Sequence, residues 1–279
     1  MLKKAIQLMI VSAFAFTLLN TFVKNLKCFS VYQIVFFRAL GTLFFTIPLI
    51  LKANVPILGK NKKLLFARAI FGVISLTCFF QSLNYLDIGT AVSLRYTSPI
   101  FATFFATIIL KEKVKPIQWL LFLIAFLGVL IIKGFGTNIN STGLLLVFSS
   151  AFFLGLILVV IRKIGHSESP LVIINYFMVF ALVFGGIMSI NNWKTPNPKE
   201  WFFLLSLGVF GYVGQLFMTR AFQSNETNII APLKYLEVVF TLIIGIFWFE
   251  EVYNIYTLLG ISLVLLGLVY NIYLKRKLS

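Results

Sequence analysis

Charged side chains are scarce inside the apolar stretches of this chain, and most of those present are cations. Arg38, Arg95, Arg220 and Lys234 each stand within a long apolar run, and against these four only Glu237 is clearly embedded. Asp87, Glu112, Glu226, Glu250 and Glu251 fall at the ends of such runs, where water reaches them. A charge in lipid is costly unless it meets a counter-ion, water or a ligand. A net-positive interior therefore points to recognition of a carboxylate or phosphate, with Arg95 and Lys234 as the contacts. The plainer alternative is local pairing, since Lys234 and Glu237 are three residues apart on one helix face. Long basic side chains can also snorkel to the interface. Arg38, behind Phe36-Phe37, and Arg220, near Glu226, read as structural or interfacial cations.

Neutral polar residues gather around these charges. Gln81, Asn84 and Tyr85 have helical spacing, Ser93, Tyr96, Thr97 and Ser98 flank Arg95, and the second half offers Gln215, Thr219 and Tyr235. Asn20 and Asn175-Tyr176 add to them. Interhelical hydrogen bonding explains any one of these, whereas together they resemble the wall of a wet cavity. The candidate substrate-binding set is Arg95, Lys234, Tyr96, Asn84, Gln81, Tyr235 and Gln215. Pro99 and Pro232 fall beside the two cations, where each removes a backbone hydrogen bond and is expected to kink its helix. Gly208, Gly211 and Gly214 form a strip that permits close helix contact.

Enzymatic chemistry finds no foothold. The single His166 has no Asp, Glu or Cys cluster around it to make a metal site, and no phosphate-binding loop is present. Cys28 and Cys78 have no metal-ligand spacing and read as plain thiols. No catalytic residue, cofactor or metal is expected.

The elements that must position these residues follow from composition. The 279 residues are 60% hydrophobic and 11% charged, with a mean hydropathy of +0.99, against roughly 25% charged in soluble domains. One globular core cannot bury that much apolar surface, so the natural solvent is a lipid bilayer. The net charge of +16 would suggest nucleic acid in a soluble protein. Here the basic residues lie mainly in short gaps between apolar runs, the mark of membrane topology, and no nucleic-acid partner is expected.

Spanning helices need about 20 apolar residues. Ten candidates result, at roughly 5–23, 31–51, 65–86, 88–110, 116–133, 142–162, 171–190, 201–222, 228–249 and 255–274. With the N-terminus inside, inner segments hold fourteen Lys and Arg residues, among them Lys3, Lys4, Lys60, Lys62, Lys63, Lys111, Lys113 and Arg162. Outer loops hold five: Lys24, Lys27, Lys133, Lys194 and Lys199. Both termini are therefore expected in the cytoplasm, in the cell (inner) membrane. The N-terminal run lacks a cleavage site and is read as a retained first span.

An ungapped shift of 139 residues lays Phe71-Gly72 on Phe210-Gly211, Asp87 on Glu226 and Leu94-Arg95-Tyr96 on Leu233-Lys234-Tyr235. It also lays Glu112 on Glu251 and Leu127-Gly128 on Leu266-Gly267. Five spans per half is an odd number, so the second half must enter the bilayer from the opposite side. The expected fold is an all-α integral membrane protein of ten transmembrane helices in two inverted five-helix repeats, 1–137 and 138–279. Such repeats are typical of transporters that alternate access around a central site. Arg95 and Lys234, each ~10 Å into its span, would flank the midplane.

The segment Arg95-Tyr96-Thr97-Ser98-Pro99-Ile100-Phe101, running on to Leu110-Lys111-Glu112-Lys113-Val114, resembles the end of the first repeat in the EamA-type family of the drug/metabolite transporter superfamily. Ala231-Pro232 to Phe249-Glu250-Glu251 is the similar counterpart, without the basic residue after the Glu, and Phe37-Arg38 matches a recurrent position. The resemblance covers essentially the whole chain. It implies a central cavity lined by spans 1, 3, 4, 6, 8 and 9, and a small-molecule solute as partner. The function expected is secondary transport, inward or outward, of a small organic metabolite bearing an anionic group. Alternatives are export of amphipathic or toxic compounds past an adaptable Phe-rich wall, or a non-transporting membrane scaffold or intramembrane enzyme. A homodimer is compatible with this architecture.

Overall fold

The computed structural model describes residues 2–24, 26, 28–82, 84–86, 91, 94–133 and 140–249, with nine further positions between 255 and 270. Asp87, Ser93, Glu250, Glu251, the basic tail Lys275-Arg276-Lys277 and much of predicted span 10 lie outside the described residues. Among those described, the elements are helical, without strands: α1 Leu2–Lys24, α2 Val31–Lys52, α3 Lys62–Ser82, α4 Ser98–Ile109 and α5 Pro116–Lys133. There follow α6 Ser141–Ile164, α7 Pro170–Ser189, α8 Pro198–Ser224, the short α9 Thr227–Ile230 and α10 Leu236–Phe249. A 3₁₀ turn, Ala231–Tyr235, joins the last two.

Local chemistry sets these boundaries. Helices α5, α7 and α8 open on a proline, and α4 has Pro99 in its first turn, positions where a missing N–H costs nothing. Ser30 caps α2 by accepting from the Gln33 N–H. Asn197 and Glu200 cap α8 reciprocally, each side chain accepting from the other's backbone N–H at 2.9 and 2.8 Å. Gly165, at φ +55°, ends α6 in the left-handed conformation that glycine adopts without strain.

Six helices among the described residues, α1, α2, α3, α6, α7 and α8, are long and apolar enough to cross a membrane, and α4 and part of α5 are shorter apolar helices. Large apolar side chains lie open on the helix surfaces: Phe44 is 74% exposed and Leu145 70%. Water would penalise such surfaces and lipid would not.

The chain divides into two compact units, each drawing on both sequence halves. The first comprises residues 1–77 and 160–224, the second 78–159 and 225–279. In the first, α1 lies along α8, and α2 packs on both α7 and α8. Gly208 of α8 meets Gly41 of α2 backbone to backbone, so a Cβ on Gly41 would fall 2.7 Å from the Gly208 Cα. Phe22 packs edge-on against Phe203 and Phe210, and Ser12 donates to the Gly214 carbonyl at 2.8 Å. In the second unit α9 and the 3₁₀ turn pack on α4.

Two expected helices differ from the reading of the sequence. Span 3 was to run to residue 86, but α3 ends at Ser82, where the Asn84 and Tyr85 N–H groups turn back to the Gln81 and Ser82 carbonyls. Span 4 was to be one helix from 88; Ala91, Leu94 and Arg95 are helical, but Tyr96 and Thr97 form a turn and the helix resumes as α4 at Ser98. Pro99 offers no N–H to the Arg95 carbonyl, so a helix cannot run smoothly through that point.

Candidate functional site

Six of the seven candidate residues fall in the second unit. Arg95 and Lys234 each stand at a break in a helix. Arg95 immediately precedes the Tyr96-Thr97 turn, and Lys234 lies in the 3₁₀ turn that interrupts span 9, as Pro232 led one to expect. Pro232 deprives the Asn228 carbonyl of its helical donor, as Pro99 does for Arg95. The 139-residue shift thus pairs two cations that both sit at interruptions.

Their surroundings differ. Lys234 is buried and donates to the Glu237 carboxylate, an i, i+3 ion pair in which both side chains are shielded. Glu237 also sits in the first turn of α10, where the helix dipole favours a negative charge. Arg95 is partly exposed and stacks on the Phe79 ring, its guanidinium carbon 4.0 Å from the ring centroid. Its buried Nε has no hydrogen-bond partner, and Glu237 and Tyr96 are the charged or ionisable groups that act on it. Tyr96 and Tyr235 lie ring to ring at 6.1 Å, and the buried Tyr235 hydroxyl is unpartnered. The cluster of Arg95, Lys234 and Glu237 carries one net positive charge.

Gln81 and Asn84 meet each other. Asn84 is exposed and donates to the Gln81 side-chain oxygen at 3.0 Å, and Tyr85 is 48% exposed. Their expected shared helix face is lost because α3 has already ended.

Gln215, the seventh candidate, belongs to the first unit, on α8. Its side-chain oxygen accepts from Arg68 Nη2 at 3.1 Å. Arg68 is a residue the sequence reasoning passed over, because it follows Lys62-Lys63 closely and reads as part of a basic boundary. It is in fact 1% exposed, one of the largest fully buried side chains of the protein. Its guanidinium lies 4.3 Å from the Phe177 ring centroid. A Cβ on Gly72 would fall 2.5 Å from Arg68 Nη1, so the glycine one turn on makes room for the head group. That Arg-x-x-x-Gly spacing was the available signal. Thr219, one turn from Gln215, has a buried hydroxyl without a partner. Arg38 is buried as well, and its charge acts on Arg68. Arg220 is exposed and lines, with Lys4, His166, Glu168 and Gln223, a cleft of about 590 Å³.

No group of three or more metal-ligating side chains is present among the described residues. What the two clusters offer is positive charge and hydrogen-bond donors on largely buried side chains.

Known proteins with similar sequences are transporters. A pseudopaline exporter of Pseudomonas aeruginosa is 29% identical over 93% of each chain. Human solute carrier family 35 member G1 is 28% identical over 90% of this chain and 74% of its own length. One solved crystal structure superposes over the whole of both chains with a TM-score of 0.87 at 14% identity, which shows the fold alone. The pattern of the EamA-like transporter family matches residues 3–134 and again 141–273. With nearly the whole chain matched, this is an integral membrane protein that belongs to the EamA-like transporter family.

Proposed function

We propose that this chain moves a small organic solute bearing a carboxylate or phosphate across the cell's inner membrane by alternating access, with Arg95 as the main contact for the anion. The observation that carries this reading is the state of Arg95. It is braced on Phe79, partly open, and has an unpartnered Nε, so it has donors to give a ligand that Lys234, paired with Glu237, has in smaller measure. Tyr96 and Tyr235 provide aromatic surface and a hydroxyl beside it. The family match supports a transporter, and the relative named a pseudopaline exporter supports a metabolite as solute and outward movement.

The reading takes ten spans in two oppositely inserted halves, 1–137 and 138–279, with both termini in the cytoplasm. The separate family matches to 3–134 and 141–273 support the two halves. The broken helices at Arg95 and Lys234 support a site near the bilayer midplane, since irregular backbone at that depth is tolerated where it lines a cavity.

Flux of radiolabelled carboxylated and phosphorylated metabolites in proteoliposomes, measured in both directions, tests the reading. Wild-type protein should carry at least one of them. Arg95→Ala should lose about tenfold or more, as expected for one charge-assisted contact, and Arg95→Lys should recover part of the loss. Unchanged flux in Arg95→Ala would remove the anion contact from this residue.

A further inference from the structure

We propose that the loop between α2 and α3 is a lipid-recognition surface. Its Ile57-Leu58 tip enters the headgroup region, and Lys52, Lys60, Lys62 and Lys63 hold phospholipids of net negative charge. Pro56 to Gly59 form a β-turn, closed by the Gly59 N–H donating to the Pro56 carbonyl at 3.0 Å. The two central positions of a turn in water usually hold Pro, Gly, Asn, Asp or Ser, which suit both the backbone and the solvent. Here they hold two branched aliphatic residues, Ile57 at 45% exposure and Leu58 at 64%.

The tip is pinned, so it cannot fold back to hide them. Asn54, at φ +50°, closes the end of α2 in the left-handed conformation. The Val55 N–H returns to the Ile50 carbonyl and the Asn54 N–H to the Leu51 carbonyl. This cap keeps the loop level with the last turn of a spanning helix, beside the bilayer surface. From α7, the Tyr176 hydroxyl donates to the Leu58 carbonyl at 2.7 Å. Gly59 lies at φ +58°, where a Cβ would fall 2.6 Å from the Leu65 side chain and 2.9 Å from the Glu168 carboxylate. Burying Ile57 and Leu58 therefore requires a surface that comes to them, and the bilayer is the apolar surface at hand.

Charge selects the headgroup. All four lysines are exposed. Residues 1–86 contain no Asp or Glu. The carboxylate that does reach the loop, Glu168, is buried and accepts from the backbone N–H groups of Lys60 and Asn61. A zwitterionic headgroup brings its own cation beside its phosphate, whereas a net-negative one leaves its charge to the lysines. Their long stems let the ammonium groups reach phosphates while the aliphatic parts extend the apolar contact. The inference rests on the loop's own residues and holds for either orientation of the chain.

The test uses the full chain in vesicles of equal parts phosphatidylglycerol and phosphatidylcholine. Cys28→Ser and Cys78→Ser remove the native thiols, and Ile57→Cys carries a small fluorophore while Leu58 stays. Quenching is compared between vesicles in which one lipid or the other has brominated chains. Both should quench, and brominated phosphatidylglycerol should be preferred about fivefold or more, the worth of one lysine near an anionic surface. Replacing the four lysines by glutamine should bring the preference to about one, and high salt should do the same without any substitution. Leu58→Asn should lower quenching by both lipids. A label at Ile190→Cys, at the opposite end of α7 and 69% exposed, should show no preference. No quenching at position 57 would place the tip in water, free for a protein partner, and overturn the proposal. So would equal quenching by the two lipids, a preference that survives the four substitutions, or the same preference at position 190. Arg95→Ala should leave every one of these readings unchanged, so the anion contact for transport stands or falls separately.

Discussion

Lys234 and Glu237 form a buried ion pair across the junction between the 3₁₀ turn and α10. The cation equivalent to Arg95 under the repeat is thereby neutralised by its own helix, and the asymmetry between the two halves begins there. Removing one member of a buried pair leaves the other charge without compensation and costs more than removing both. Glu237→Leu and Lys234→Met should each lower stability, by about 3–5 kcal/mol, and the double variant should lose less than the sum. A thermal-unfolding double-mutant cycle with no coupling would mean that the pair contributes nothing to the fold.

Glu112 provides the second prediction. Its carboxylate accepts from the Thr227 N–H at 3.0 Å and the Asn228 N–H at 3.3 Å, and the Asn228 side chain donates to the Lys113 carbonyl. These are the first N–H groups of α9, which have no partner within their own helix. Glu112→Ala should cost about 1–2 kcal/mol, and Glu112→Gln less, because one acceptor oxygen remains. Hydrogen exchange at Thr227 and Asn228 locates the effect: protection there should fall in Glu112→Ala while α8 is unchanged.

The residues that were legible in the sequence are those whose chemistry is local. Pro99 and Pro232 marked the helix breaks because a missing N–H acts on the carbonyl four residues back, and Lys234–Glu237 followed from i, i+3 spacing. Arg68 was not legible, because its burial depends on Phe177 from α7 and Gln215 from α8, far away along the chain. Asn84 was misplaced for the opposite reason: helical spacing held only while α3 continued, and it stops two residues earlier. Gln215 is legible as a polar group inside an apolar helix, and it is buried on α8, but a span gives no sign of which compact unit it will join.

Lys111 lies at φ +56°, a left-handed conformation that costs a residue with a Cβ about 1 kcal/mol or more. It turns the chain between α4 and Glu112, so the strain is tied to the contact with Thr227. Lys111→Gly should relieve it and raise stability by a few tenths to about 1 kcal/mol, the gain being reduced by glycine's greater freedom in the unfolded chain. Lys111→Val should do the reverse, since a β-branched residue tolerates this conformation least. Unfolding temperatures of the two variants relative to wild type should therefore move in opposite directions.

Gly41 and Gly208 set the separation of α2 and α8. A Cβ on Gly208 would fall 2.5 Å from the Gly41 Cα and 2.6 Å from its carbonyl carbon, and backbone atoms cannot move aside as a flexible side chain can. Gly208→Ala should push the helices apart along a seam that also holds Thr42, Arg38 and Gly211, at a cost of about 1–3 kcal/mol. Gly186 serves as the control, because a Cβ there meets the Phe36 ring at 3.4 Å and nothing nearer. Gly186→Ala should change stability by less than about 0.5 kcal/mol or improve it slightly, since alanine is the better helix former. Equal losses in the two variants would mean that glycine is needed in these helices for a reason other than close approach, whereas a loss confined to Gly208→Ala assigns the seam to the backbone contact itself.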